Sequence, residues 1–197
     1  MDKLLFFFFL ATLLLSCTQK KRLSENDYCW MPYKGNETLQ FESSTGNSDT
    51  VFLLKKDTIW SFPNESFFTG HQYQVVRIFC SHSDSVAADK SIRYLENDFC
   101  SIRKDKNNDV ALIIGLTTKD AVFYRMSPIN LDSLYKTRPV TLKINKNKYN
   151  DVFIINAEDY SGYFYNRSDY VTKIYWSKSR GLIRYDKKNK IYWALKE

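Results

Sequence analysis

The chain has 197 residues, with 29 Lys and Arg against 22 Asp and Glu, a formal net charge of +7. Forty-four per cent of its residues are hydrophobic and 16% aromatic, while glycines number 6, which leaves Gly-rich phosphate cradles poorly supplied. Beyond a short leader, roughly 180 residues remain, enough for one domain with a real core.

Residues 4–15 form an apolar run with Phe6, Phe7, Phe8 and Phe9 at its centre, preceded by Lys3 and followed by Ser16 and Cys17. About a dozen apolar residues are too few to cross roughly 30 Å of hydrocarbon as a helix. A small residue ahead of a cysteine at the end of such a run reads as a bacterial lipoprotein signal, cut before Cys17. The expected organisation is a signal peptide at 1–16, a lipidated flexible tether at 17–27 and a β-rich globular domain at 28–197. Acyl chains on Cys17 would make the membrane the first partner. Lys20, Lys21 and Arg22 follow closely, and either rest on anionic head groups or decorate a solvated tether. No acidic stretch follows Cys17. In the lipoproteins this signal resembles, that absence favours the periplasmic face of the outer membrane. An exported, lipidated protein does not meet nucleic acid, so the basic balance is not read as a nucleic-acid footprint.

From Tyr28 on, short apolar stretches are broken by turn signals every ten or so residues, which predicts antiparallel β structure. Residues 51–55 and 58–62 are read as a hairpin turning at Lys56-Asp57. Strands are predicted at 72–80, 99–103, 110–116, 121–126, 140–144, 149–155, 170–177, 181–186 and 190–196. Residues 110–116 are apolar on both faces and read as a central, covered strand. Val140, Leu142 and Ile144 alternate with Thr141 and Lys143, giving one dry and one wet side. Residues 84–97 fit a short helix or a loop followed by a strand. Residues 127–137 read as a long polar connection. The fold class is mainly β: a single curved antiparallel sheet or partly closed β-barrel, with room for one short helix.

Chemistry-bearing residues are few. Cys29, Cys80 and Cys100 remain after Cys17, and Cys80 and Cys100 fall on core-facing strand positions. They make either one disulfide or two buried thiols. His71 and His82 stand eleven positions apart, and the run from Cys80 to Asp84 reads as a polar loop rather than a triad or zinc site. No cofactor, metal or catalytic residue is assigned. Basic residues gather in turns that alternate between the two ends of an up-and-down sheet, which argues against one binding stripe. Tyr160, Tyr163, Phe164, Tyr165, Tyr170, Tyr175 and Trp176 crowd one region, as cross-strand partners or stacking surfaces.

Two local patterns carry a resemblance. Residues 175–185, from Tyr175-Trp176-Ser177 through Gly181 to Arg184-Tyr185, look like a C-terminal hairpin of small Bacteroidetes outer-membrane lipoproteins. Residues 144–152 are similar to the strand pair that precedes it there. The resemblance implies a lipid anchor and a sheet, and no activity. Asp-Ser/Thr-apolar triplets at Thr50, Thr58, Ser85 and Ser133 match the O-glycosylation signal of exported proteins from that group. The leading expectation is a non-enzymatic lipid-anchored envelope protein that binds an envelope protein or an apolar ligand on its concave sheet face, or serves in assembly. The alternative is an envelope hydrolase with a site assembled from distant residues.

Overall fold

Alternating burial along the chain builds the sheet. In the computed structural model, which describes residues 19–62, 70–82, 97–105, 107–116 and 121–196, strand after strand buries every second side chain. In chain order the elements are β1 (Gln19–Lys21), α1 (Glu25–Tyr28), β2 (Thr38–Ser43), β3 (Ser48–Ser61), β4 (His71–His82), β5 (Asn97–Lys104), β6 (Val110–Ile114) and β7 (Ile129–Asn130). There follow α2 (Leu131–Lys136), β8 (Val140–Ile144), β9 (Asn147–Asn156), β10 (Val171–Ser177), β11 (Gly181–Lys187) and β12 (Tyr192–Leu195).

The strands form one sheet in the order β7-β6-β5-β4-β3-β2-β12-β11-β10-β9-β8, antiparallel throughout, curled into a half-barrel. β1 stands off this path and pairs with β4 in parallel, Gln19 opposite His71. The predicted fold class is therefore the observed one, with two short helices among the described residues. Residues 121–126, expected as a strand, make isolated parallel bridges instead: Val122 to Tyr170 and Arg125 to Glu158. The Phe123 N–H donates to Leu116 O at 2.8 Å and the Val171 N–H to Val122 O at 2.8 Å, so this segment links the end of β6 to the start of β10.

The largest correction concerns the residues expected as a tether. From Gln19 onward they are part of the fold. Leu23 is buried, and its N–H donates to Gln74 Oε1 at 2.9 Å. Ser24 caps α1 in a reciprocal box with Asp27, which satisfies otherwise orphaned N–H groups at the helix start. Trp30, Met31 and Tyr33 then run through the interior of the half-barrel. Trp30 packs on Phe153 of β9 with ring centroids 4.7 Å apart, and Tyr33 lies between Phe99 of β5 and Trp176 of β10. The concave face, expected to receive a ligand, is filled by the chain's own side chains.

Other expectations shift for local reasons. The hairpin at Lys56-Asp57 is absent: β3 runs unbroken for 14 residues, with a register shift between Leu53 and Lys55. Lys56 and Asp57 pair across to Ile78 and Arg77 on β4. The tight turn sits earlier, where Gly46 takes a φ of +84° between β2 and β3. β6 is not central: it lies next to the two-residue strand β7 near one end of the sheet. Residues 127–137 are not a bare connection, because Leu131 and Leu134 bury one face of α2 and the Asn130 side chain accepts the Ser133 N–H. On β8, Ile144 is buried but Val140 is 40% exposed, as suits the other edge strand. Residues 84–96 lie outside the described residues.

Asp151 fixes the β10–β11 turn to β9. Its Oδ1 accepts the Ser177 hydroxyl at 2.7 Å and its Oδ2 the Ser179 N–H at 2.7 Å. Burial pushes its pKa up, but the hydrogen bonds from Ser179 and Ser177 outweigh that and hold it below the usual carboxylate range. A carboxylate with a depressed folded pKa stabilises the fold above its unfolded value, roughly 3.9, and that contribution is lost as pH falls through the folded value. Asp151→Asn should therefore flatten the acid limb of a melting-temperature profile between about pH 4 and pH 2. An unchanged acid limb would remove Asp151 from the account.

Candidate functional site

A groove lined by cations and tyrosines lies on the outer face of β10, β11 and β12. Register places Lys173 opposite Asp186, Tyr175 opposite Arg184, and Asp186 opposite Tyr192. Paired residues share a face, so these five project together, away from the core side where Ile183 and Tyr185 are buried. The end of β11 adds Lys187, the turn after it Lys188 and Lys190, and the loop before β10 adds Tyr165. All of these but Tyr175, which touches the site through Asp186 and Arg184, line the groove, of about 450 Å³.

Within the groove the single carboxylate is already engaged. Asp186 Oδ1 accepts from Arg184 Nε at 2.7 Å, and Asp186 Oδ2 accepts the Tyr175 hydroxyl at 2.8 Å. The Arg184 guanidinium also lies 4.2 Å from the Tyr192 ring centroid and 5.0 Å from that of Tyr175. Burial and the bond to Asp186 push the Tyr175 pKa up, so it stays a neutral donor. Lys188 Nζ donates to Tyr165 O at 2.8 Å and sits 3.9 Å from the Tyr165 ring centroid. The acidic charge is thus used up on Arg184 and Tyr175. Lys173, Lys187, Lys188 and Lys190 form a positive rim beside the faces of Tyr165 and Tyr192, with Lys187 also within electrostatic reach of Asp169.

The loop that supplies Tyr165 is built around Asp159. Its carboxylate accepts the Ser161 hydroxyl at 2.6 Å and the N–H groups of Phe164 and Tyr165 at 2.7 Å each. The Ser161 hydroxyl bond, with the backbone bonds, holds the Asp159 pKa below the usual range. Phe164 stacks on Tyr124 with centroids 4.6 Å apart, while Tyr160 is 80% and Tyr163 72% exposed. The loop is therefore shaped from within and presents its tyrosines outward. A second, apolar cleft of about 240 Å³ lies between β6 and residues 123–129, with Phe123, Met126 and Ile129 among its walls.

The residues singled out from sequence are scattered. Cys17 and Ser85 lie outside the described residues. Thr50 is half-buried on β3, Thr58 is exposed on the same strand, and Ser133 is exposed on α2. Cys80 and Cys100 are buried thiols, and no disulfide joins them. Burial pushes the Cys80 thiol up to about 12 and the Cys100 thiol well above its ordinary value. Cys100 Sγ lies 3.3 Å from Met31 Sδ. Cys29 is exposed. Native protein treated with iodoacetamide at pH 8 should therefore carry one label among these three, at Cys29, and three after denaturation. Intact mass spectrometry reads the count, and fast native labelling of Cys100 would contradict the burial. His71 and His82 begin and end β4. About 3.3 Å per residue puts their backbones more than 30 Å apart along the strand. Among the described residues, no group of three His, Cys, Asp or Glu converges for a metal ion.

Sequence reading missed the groove. Lys187, Lys188 and Lys190 are among the basic residues that read as solvated turns, and nothing in either strand taken by itself marks Lys173 or Arg184. The available signal was the alternation Lys173-x-Tyr175 and Arg184-x-Asp186, outward positions on two strands of one hairpin. No protein-family model, curated protein or solved structure matches this chain.

Proposed function

We propose that this is a lipid-anchored protein of the bacterial cell envelope, acylated at Cys17 and held at the outer membrane facing the periplasm. It binds an anionic saccharide in the groove of β10–β12 and carries out no chemistry on it. One observation supports the ligand class. Four lysines rim the groove, and its one carboxylate is spent on Arg184 and Tyr175. Cations recognise carboxylate or phosphate groups, and tyrosine faces accept the C–H faces of sugar rings. The apolar ligand expected for the concave face has no room there, since Trp30, Met31 and Tyr33 occupy it. The exposed hydroxyls of Thr58 and Ser133 remain glycan acceptors in this reading.

Titration calorimetry of the full acylated chain in detergent tests the groove, with oligogalacturonate as probe. Binding should weaken steeply with salt. Lys187→Glu with Lys190→Glu should weaken it at least tenfold, the loss of about 1.4 kcal/mol or more of charge-assisted contact. Tyr192→Ala should remove a part of the affinity that salt does not. Equal affinity in the double charge reversal would sink the groove as the site. Cys17→Ala should release the protein from membranes, and an intact native mass lacking acyl chains would end the anchoring half of the proposal.

A further inference from the structure

We infer that the corner of the sheet built by β1, the end of β3 and the end of β5 rests on the bilayer, with Lys20, Lys21, Arg22, Arg103 and Lys104 against anionic lipid head groups and Trp60 at their level. The inference rests on acylation of Cys17, as proposed above, and adds an orientation to it. Its basis is the length of chain between anchor and fold. Gln19 already pairs with β4, its N–H donating to Gly70 O at 2.8 Å. Thr18 alone separates it from Cys17. Two residues reach at most about 7 Å even fully extended. A flexible tether would let the domain float clear of the lipid. This spacing does not.

The surface brought down by that constraint has the composition of a lipid contact. Lys20, Arg22 and Arg103 are exposed. Lys20 Nζ lies 5.0 Å and the Arg22 guanidinium 5.7 Å from the Trp60 ring centroid. Lys104 Nζ donates to Arg22 O at 3.0 Å, which keeps the end of β5 beside the end of β1. Phe62, one residue beyond β3, is 45% exposed. Cations with an aromatic ring among them suit the boundary between water and hydrocarbon, where indole rings settle and lysines meet head-group phosphates. Acidic groups near this surface in the chain are Glu25, three residues after Arg22, and Asp105 and Asp109, in the turn after β5. Asp105 Oδ1 is occupied there by the N–H groups of Asn107 and Asp109, at 2.9 and 3.0 Å.

Tryptophan fluorescence tests this directly. The chain has 4 tryptophans. Trp30 and Trp176 are fully buried and Trp193 is 8% exposed, which leaves Trp60 as the accessible one. The full acylated protein would be reconstituted into vesicles of phosphatidylglycerol and phosphatidylethanolamine brominated near the head group. Quenching should be clear, and lost in Trp60→Phe. Lys20→Glu with Arg22→Glu should cut it several-fold. A Gly-Ser insert of about a dozen residues after Thr18 should do so too, since such a chain spans about 20 Å. Both variants should still pellet with the vesicles. Failure of the unaltered protein to pellet or to carry acyl mass would remove the anchor and this orientation with it. Acylated, pelleting protein whose quenching is the same in Trp60→Phe, or survives both the charge reversal and the insert, would overturn the orientation and leave the anchor standing.

Discussion

Gly181→Ala should lower the melting temperature by about 10 °C, the effect of about 3 kcal/mol in a domain of this size. Two costs add. Gly181 has a φ of +80°, where an L-residue loses about 1–2 kcal/mol. A Cβ there would also fall 2.0 Å from Tyr33 Oη and 2.2 Å from its Cζ. Tyr33 has nowhere to move. It is buried, its ring is held between Phe99 and Trp176, and its hydroxyl oxygen accepts the Leu182 N–H at 2.7 Å. Forcing an extra methyl into such packing costs about 1–3 kcal/mol. Gly46→Ala separates the two costs, because Gly46 has a similar φ of +84° and nothing within 4 Å of the added carbon. It should show the backbone strain alone, about 1–2 kcal/mol. Tyr33→Phe would leave the buried Leu182 N–H without its acceptor, at about 1–3 kcal/mol, and should not rescue Gly181→Ala because the ring carbon still collides. Equal losses for the two glycine variants, read by differential scanning calorimetry, would discard the close approach as a cause.

Trp30→Ala should be about as damaging, costing about 3–5 kcal/mol for a fully buried indole. Trp30 is 0% exposed and meets three separate parts of the chain. It lies 4.7 Å from Phe153 on β9 and 5.6 Å from Tyr135 on α2, and Lys178 Nζ sits 5.4 Å from its ring. Tyr135 in turn donates its hydroxyl to Asn26 O at 2.9 Å, so α2 and α1 are joined over this ring. The variant should both melt earlier and speed hydrogen exchange in α2, while β3 and β4, held by their own ladder, stay protected until global unfolding. A loss under about 1 kcal/mol would mean that the interior segment is an accessory rather than the core.

Strands that carry their signal locally were legible. Residues 140–144, 149–155 and 181–186 lie within the observed β8, β9 and β11, and the hairpin read through Gly181 is the observed β10–β11 pair. Features that depend on a distant partner were not. Residues 19–27 look polar because Leu23 is their one apolar member, and the apolar run from Tyr28 to Tyr33 shows no alternation that would announce its burial against β5, β9 and β10 far along the chain. Lys56-Asp57 suggested a turn on composition alone. The ladder to β4 keeps the strand going there, and neither residue takes the positive φ that a tight hairpin favours. The groove escaped notice because its parts, Lys173, Arg184 and the 187–190 turn, meet through register. Strand register is a property of the pair, not of either segment.

The uninterrupted course of β3 sets a stand-off. Its first residues follow the turn in which the Ser44 N–H donates to Tyr192 O, beside the groove, and its last, Ser61, pairs with Tyr73 at the edge proposed to meet lipid. Fourteen residues at about 3.3 Å each measure roughly 45 Å along the strand. On that orientation the groove lysines are carried far above the bilayer's own phosphates. There they would be spared competition from those anions and stay available to the acidic saccharide proposed as their ligand.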